Sequence, residues 1–192
     1  MTAYLDNSAT TPVCSEAVEA MKTAVTELWG NPSSLHQKGI EADEMLENAR
    51  SNVARRLFCR DDEVYFTSGG TESNNLAVQG AAHAMRRRGR RIVTTSVEHP
   101  SIDETVKHLE NEGFEVIRLG VDKNGRISER ELFEAVTPDT ILVSIMAVNN
   151  ETGTIQPVEA ARTAQSRPHL FIAMRCRLSA NCRSSPLLWA LT

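Results

Sequence analysis

Residues 91–120, RIVTTSVEHPSIDETVKHLENEGFEVIRLG, decide the fold. RIVTTS is a β-branched, apolar run that reads as a strand. IDETVKHLENEG reads as a helix that Gly113 terminates, and FEVIRLG as the next strand. Strand, helix and strand in so short a stretch make a crossover unit with parallel strands, since an antiparallel return needs only a tight turn.

The alternation continues on both sides. Val18, Met21, Val25 and Leu28 space a helix that begins near Ser15, and GNPSS interrupts it. A second helix carries Ala42, Leu46, Ala49, Val53 and Leu57 on one face. EVYFT is expected as a strand, and SGG turns it into a helix from about Thr71 to Arg87. Ser128 with Glu131 predicts a capping box for a helix through Val136, and TILVSIMAV a buried strand. Beyond about Val158 no strand of this kind is expected. The chain is therefore expected to be α/β, a mainly parallel sheet with flanking helices. An extended segment over 1–14 leads into a domain over 15–158, followed by a tail over 159–192 of different character.

Composition narrows the function classes. With 192 residues, 41% hydrophobic and 24% charged, the chain reads as an ordinary soluble globular protein. Its net charge of -4 gives no reason to expect nucleic acid or an anionic membrane as partner. MTAYLDNSATT has neither a basic region nor an apolar stretch, and ILVSIMAV is too short to cross a bilayer, so a cytoplasmic location is expected. Cys14, Cys59, Cys176 and Cys182 make neither a disulfide framework nor a zinc site; they read as free thiols, and no metal is expected.

Ligands of α/β sheets sit at the carboxyl ends of strands, and three such ends carry polar clusters. TSGGTESNN runs through two glycines into a helix, offering free N–H groups, a positive dipole end and the Thr71 hydroxyl to a phosphate. A purely structural strand-to-helix turn would look the same. TTSVEHPS places His99 just past a strand, where a capping role is the commoner use. MAVNNETG places two Asn at a third end, where Asn often only satisfies a turn. Taken together, the three would converge on one cleft with a phosphate cradle, an imidazole and a carboxamide.

YLDNSATTP, GNPSSLHQKG, FTSGGTESNNLAVQG, VEHPS and LVSIMAVNNETGTIQPV, in this order over roughly residues 3 to 158, resemble the cysteine desulfurases. These are pyridoxal-phosphate enzymes of the class V aminotransferase group, with the type I transferase fold. The resemblance implies that Gly70 and Thr71 hold the cofactor phosphate. It implies that His99 stacks on the ring and assists proton transfer, and that Asn150 bonds near the ring hydroxyl and the substrate. DNSATT and NPSS would shape the cleft. The reaction implied is L-cysteine to L-alanine, with sulfur passed to an enzyme cysteine and on to iron–sulfur clusters or other thio-cofactors. The family also implies a homodimer and a sulfur-accepting scaffold protein. A selenocysteine lyase or other class V enzyme is the alternative activity, and a non-catalytic half-domain that binds a full-length partner is the alternative class.

Several family parts have no counterpart here. Lysine occurs only at 22, 38, 107 and 123, none in the context of the Schiff-base lysine, and no Cys matches the sulfur-accepting one. The Asp that bonds the pyridine nitrogen, the Gln after it and the carboxylate-binding Arg are missing too. The chain is therefore expected to be a truncated, inactive copy. A parallel sheet cut part-way would leave an open strand edge and uncovered apolar faces, so marginal stability is expected.

The tail itself is unusual. From Ala160 onward it holds five Arg and no acid or Lys. A choice of synonymous codons exists with which the stretch from the last base of Phe171 through Arg183, read one base earlier, translates as HCDAVQAFGKLP; the match is allowed rather than forced. That is the kind of run with which the family continues. The tail is therefore expected to be the next family segment in a shifted frame, with the shift between about Val158 and Phe171. Sequencing the gene checks this: the other frame should run on through a Lys-bearing HK motif and a later Cys loop. A frame that closes without them overturns it.

Overall fold

The computed structural model of the chain describes residues 3–4 and 10–164, together with the backbone of Leu170–Arg175 and Leu188–Leu191. Most of DNSATT and of the tail, including Cys176 and Cys182, lies outside the described residues. Two units are formed, Met1–Phe66 and Thr67–Thr192.

The first unit holds α1 (Ser15–Thr26), α2 (Gln37–Leu57) and a 3-10 turn over Asp61–Glu63. The GNPSSLHQKG segment is a tight connection. Asn31 Oδ1 accepts from Ser33 N–H at 3.0 Å, and His36 caps α2 through Gly39 N–H. Its two glycines are dictated by space. A Cβ on Gly30 would fall 1.9 Å from Lys38 O, and one on Gly39 2.2 Å from Ser34 O.

The second unit runs α3 (Gly70–Met85), β1 (Arg91–Thr95), α4 (Pro100–Asn111), β2 (Glu115–Leu119), α5 (Glu129–Ala135), β3 (Thr140–Ser144) and α6 (Val158–Thr163). The backbones of β4 (Leu170–Arg175) and β5 (Leu188–Leu191) follow. The strand order is β2-β1-β3-β4-β5 and every pair is parallel. Pro100 opens α4, and Gly113, at φ +89°, closes it in the left-handed region. Successive residues of β1 face opposite ways. Ile92 packs with Val78 and Ala82 of α3 and Ile102, Val106 and Leu109 of α4; Val93 packs with Leu132 of α5 and Ala161 of α6. Helices thus cover both faces of the sheet. Each fully buried aliphatic side chain contributes about 1.5–3 kcal/mol.

The structure corrects four expectations. EVYFT is not a strand: Asp61–Glu63 coils into the 3-10 turn, and residues 64–67 have no ladder partner among the described residues. Tyr65 and Phe66 stand exposed there, while the Arg50 guanidinium takes the Val64 carbonyl that a ladder would have used. The expected α2 face is displaced, because Gly39, Ala42 and Ala54 are buried and Ala49 is exposed. TILVSIMAV is strand only over its first five residues; Ile145, Met146 and Ala147 stay buried but leave the ladder. Past Val158 a strand does occur, since Leu170–Arg175 pairs in parallel with β3.

The predicted apolar stripe of α1 is present but uncovered. Val18, Met21 and Val25 are 47%, 62% and 74% exposed, and α1 has no buried residue. Among the described residues, no helix is long and apolar enough to cross a membrane. Helices without tertiary burial are marginal in water, so α1 should exchange its amides fastest. In hydrogen exchange read by mass spectrometry, Ser15–Thr26 should lose protection at least a hundredfold sooner than β1 and β3. Equal protection of α1 and β3 would show that its apolar face is covered.

Candidate functional site

The strand order reverses around β1. The chain leaves β1 for β2 on one side and returns to β3 on the other. The carboxyl ends of β1 and β3 therefore flank the crevice where neighbouring connections part to opposite faces, which is where open α/β sheets take ligands. VEHP follows β1 there, and MAVNNETG follows β3.

His99 is the N-cap of α4. Its Nδ1 accepts the Ser101 N–H at 3.1 Å and lies 2.8 Å from Ser101 Oγ, which in turn accepts from Asn74 Nδ2 at 2.8 Å. With Nδ1 occupied as acceptor, the proton of the neutral ring sits on Nε2. The capping use considered from sequence is thus real, and it also fixes which ring nitrogen can donate.

The start of α3 carries two of the residues singled out from the sequence, Gly70 and Thr71. Gly69, its N-cap, makes no side-chain capping bond, and Glu72 reaches back to the Ser68 N–H and hydroxyl instead. Among the described residues no side chain caps the start of α3, so the first-turn amides of Gly70 and Thr71 are left without a cap there, and Thr71 is exposed. Thr71 and His99 line one open cleft of about 420 Å³ between α3 and α4, together with Asn75, Ser101 and Thr105. Asn75 stitches the two walls: its Oδ1 accepts from Thr105 Oγ1 at 2.8 Å and its Nδ2 donates to Thr71 O at 2.8 Å. Asn150 is exposed on the turn after β3 and is not among the residues lining this cleft.

Two residues to which the sequence reading gave no role of their own anchor these turns. Glu98 carries an enclosed carboxyl whose Oε1 accepts from Met146 N–H at 2.8 Å and Thr95 Oγ1 at 3.0 Å. Its Oε2 is buried with no hydrogen-bond partner among the described residues. Burial pushes the Glu98 carboxyl up to about 7, against the two hydrogen bonds that hold it down. Asn149 is buried where its neighbour is exposed. Its Nδ2 donates to Val97 O at 3.1 Å, and its Oδ1 accepts from Glu151 N, Thr152 N and Thr152 Oγ1. The signals were an acid between a strand and its helix, and a doubled Asn.

The donor set fits the phosphate end of pyridoxal phosphate, through the uncapped Gly70 and Thr71 amides and the Thr71 hydroxyl. It provides no lysine, since none lines the cleft; Lys107 is held by Asp103 and Glu104 on α4. Cys14 is exposed, and burial, then Glu63 and Asp61, push the Cys59 thiol up. Among the described residues no cluster of His, Cys, Asp or Glu could hold a metal ion.

A doubly wound α/β unit with a helix start and an imidazole beside its switch point offers the elements that a phosphate-bearing ligand can use. The class V aminotransferase family model matches residues 3–173, and the chain belongs to that family. A NifS/IcsS protein homolog of Lactobacillus delbrueckii is 54% identical over 156 residues, 81% of this chain and 40% of its own length. The cysteine desulfurase IscS of Methanosarcina thermophila is 51% identical over 81% of this chain and 39% of its own. A solved structure, SspA in complex with cysteine, superposes with a TM-score of 0.85 at 34% identity, covering 92% of this chain and 51% of that one. The chain thus spans about two fifths of the length of the curated relatives it matches. The family they define is the pyridoxal-phosphate-dependent cysteine desulfurases.

The Glu98 carboxyl makes stability depend on pH. Between its ordinary value near 4.5 and about 7 the folded chain keeps a proton that the unfolded chain has lost, so stability falls as pH rises through that window. Glu98→Gln should remove this slope and gain on the unmodified chain by up to roughly 3 kcal/mol by pH 8. Urea unfolding at pH 5 and pH 8 measures it. An equal difference at both pH values would show that the carboxyl is not held neutral.

Proposed function

We propose that this chain carries the phosphate-binding and ring-facing part of a cysteine desulfurase site, and that the observation carrying this is the uncapped start of α3 beside His99 at the sheet's switch point. The Gly70 and Thr71 amides and the Thr71 hydroxyl bind the phosphate oxygens of the cofactor, aided by the positive end of α3. His99 lies against the ring and presents its Nε2 proton, because Ser101 occupies Nδ1. Asn150 contributes a carboxamide to the ring hydroxyl and substrate end. Pyridoxal phosphate, when bound, supplies the electron sink for cleavage next to an amino acid's α-carbon. The substrate of the whole enzyme is L-cysteine, which leaves as L-alanine with its sulfur passed to a cysteine thiol. The names of the relatives support this assignment, and a cytoplasmic supply of sulfur for iron–sulfur assembly agrees with the IscS names among them.

The 192 residues do not complete that site by themselves. No lysine lines the cleft, and Cys59 is held away from its thiolate form. We also infer that the tail from residue 159 is the next family segment in a shifted frame; the five Arg and absent acids after Ala160 support it.

Incubated with pyridoxal phosphate and then borohydride, the purified chain should gain no stoichiometric pyridoxyl mass and release no sulfide from cysteine. Non-covalent binding should be weak, and Thr71→Val should weaken it about tenfold, the worth of one hydrogen bond to a charged oxygen. A single lysine modified in full, or binding indifferent to Thr71, would overturn the reading.

A further inference from the structure

The turns after β1 and β3 are tied by two side chains in opposite directions. Glu98, in the turn that bears His99, reaches across to the Met146 N–H at 2.8 Å. Asn149, in the turn that bears Asn150, reaches back to the Val97 C=O at 3.1 Å. Each turn thus supplies the side chain that satisfies the other turn's backbone. Both contacts cross the switch point, between segments separated by about fifty residues in sequence. Neither residue lines the cleft.

We propose that Glu98 and Asn149 are positioning residues that form a reciprocal clamp, fixing the His99 turn and the Asn150 turn to one another. This rests on the site assignment made above, in which those two turns face one ligand. Both members are otherwise committed in ways that favour rigidity. Glu98 Oε1 also accepts from Thr95 Oγ1, so the carboxyl is fastened to the end of β1 before it reaches β3. Asn149 Oδ1 closes its own turn through Glu151 N and Thr152 N, while its backbone exchanges bonds with Gly153 and Thr154. The amide of Met146 has left the ladder, and Glu98 is the partner it finds instead. Removing either side chain takes away the partner of a backbone group in the opposite turn, so damage at one turn is expressed in the other.

The test uses the full 192-residue chain, isotopically labelled and free of cofactor, at pH 6. The His99 ring signals and the Asn150 amide report the two turns, and the Leu132 amide reports the fold away from them. Glu98→Ala should move the Asn150 amide, and Asn149→Asp, which replaces the amide donor with a carboxylate oxygen facing the Val97 carbonyl, should move the His99 ring signals. Both should leave Leu132 in place. Glu98→Gln, which keeps the acceptor for Met146, should return His99 and Asn150 to their original positions. Should Glu98→Ala not fold, the near-isosteric Asn149→Asp alone decides through His99. Changes confined to the mutated turn, or a Glu98→Gln spectrum that matches Glu98→Ala, overturn the clamp. Titrating the unmodified chain with pyridoxal phosphate reads the site assignment separately, so each can fail without the other.

Discussion

Because β1 hydrogen-bonds to β2 on one edge and to β3 on the other, the helix that follows β1 and the helix that follows β3 pack on opposite faces, α4 against Ile92 and α6 against Val93. Backbone polarity leaves no freedom here: every buried N–H and C=O of Arg91–Thr95 needs a neighbour, and parallel pairing supplies one on each side. From that single strand follow both packed layers, through Ile92 and Val93, and the position of the crevice. The crevice in turn decides which loops can share a ligand. His99 and Asn150 stand just past the ends of the two strands that flank it.

Polar groups concentrate where that crevice lies. Thr94, Thr95, Ser101, Ser144 and Asn149 are buried near the carboxyl ends of β1 and β3. The hydroxyls of Thr94 and Ser144 are enclosed with no partner among the described residues, as is Glu98 Oε2. Such groups cost stability wherever they occur. Their gathering at one end of the sheet is what a site that binds a polar ligand requires.

The second unit's architecture was legible because its strands announce themselves. RIVTTS and FEVIRLG flank a helix with Pro100 at its start and Gly113 at its end, and the structure keeps these assignments within a residue or two. EVYFT has the same local chemistry and did not form a strand, since pairing depends on a neighbour rather than on the residues themselves. The stripe of Val18, Met21 and Val25 was equally clear, yet a stripe does not say what covers it. For the site, Thr71 and His99 were visible as polar residues at strand ends, and the structure puts them on one cleft. Glu98 was not singled out, and Asn149 was seen only as one of two Asn at a strand end. Their importance lies in which backbone groups they reach across some fifty residues, and neither spacing nor composition encodes that.

The crossed contacts of Glu98 and Asn149 also bear on how this sequence can be cut and rejoined. A chimera that exchanged the segment up to residue 99 for that of another α/β enzyme would keep the Met146 amide and lose the carboxyl it needs. One that exchanged the segment from residue 146 would strand the carboxyl instead. Crossovers anywhere between these positions separate the two donors from their acceptors. Crossovers before β1, or after the Asn149 turn closes at Thr154, carry both across intact. Residues 91–154 are in that sense the smallest block that can be transplanted whole.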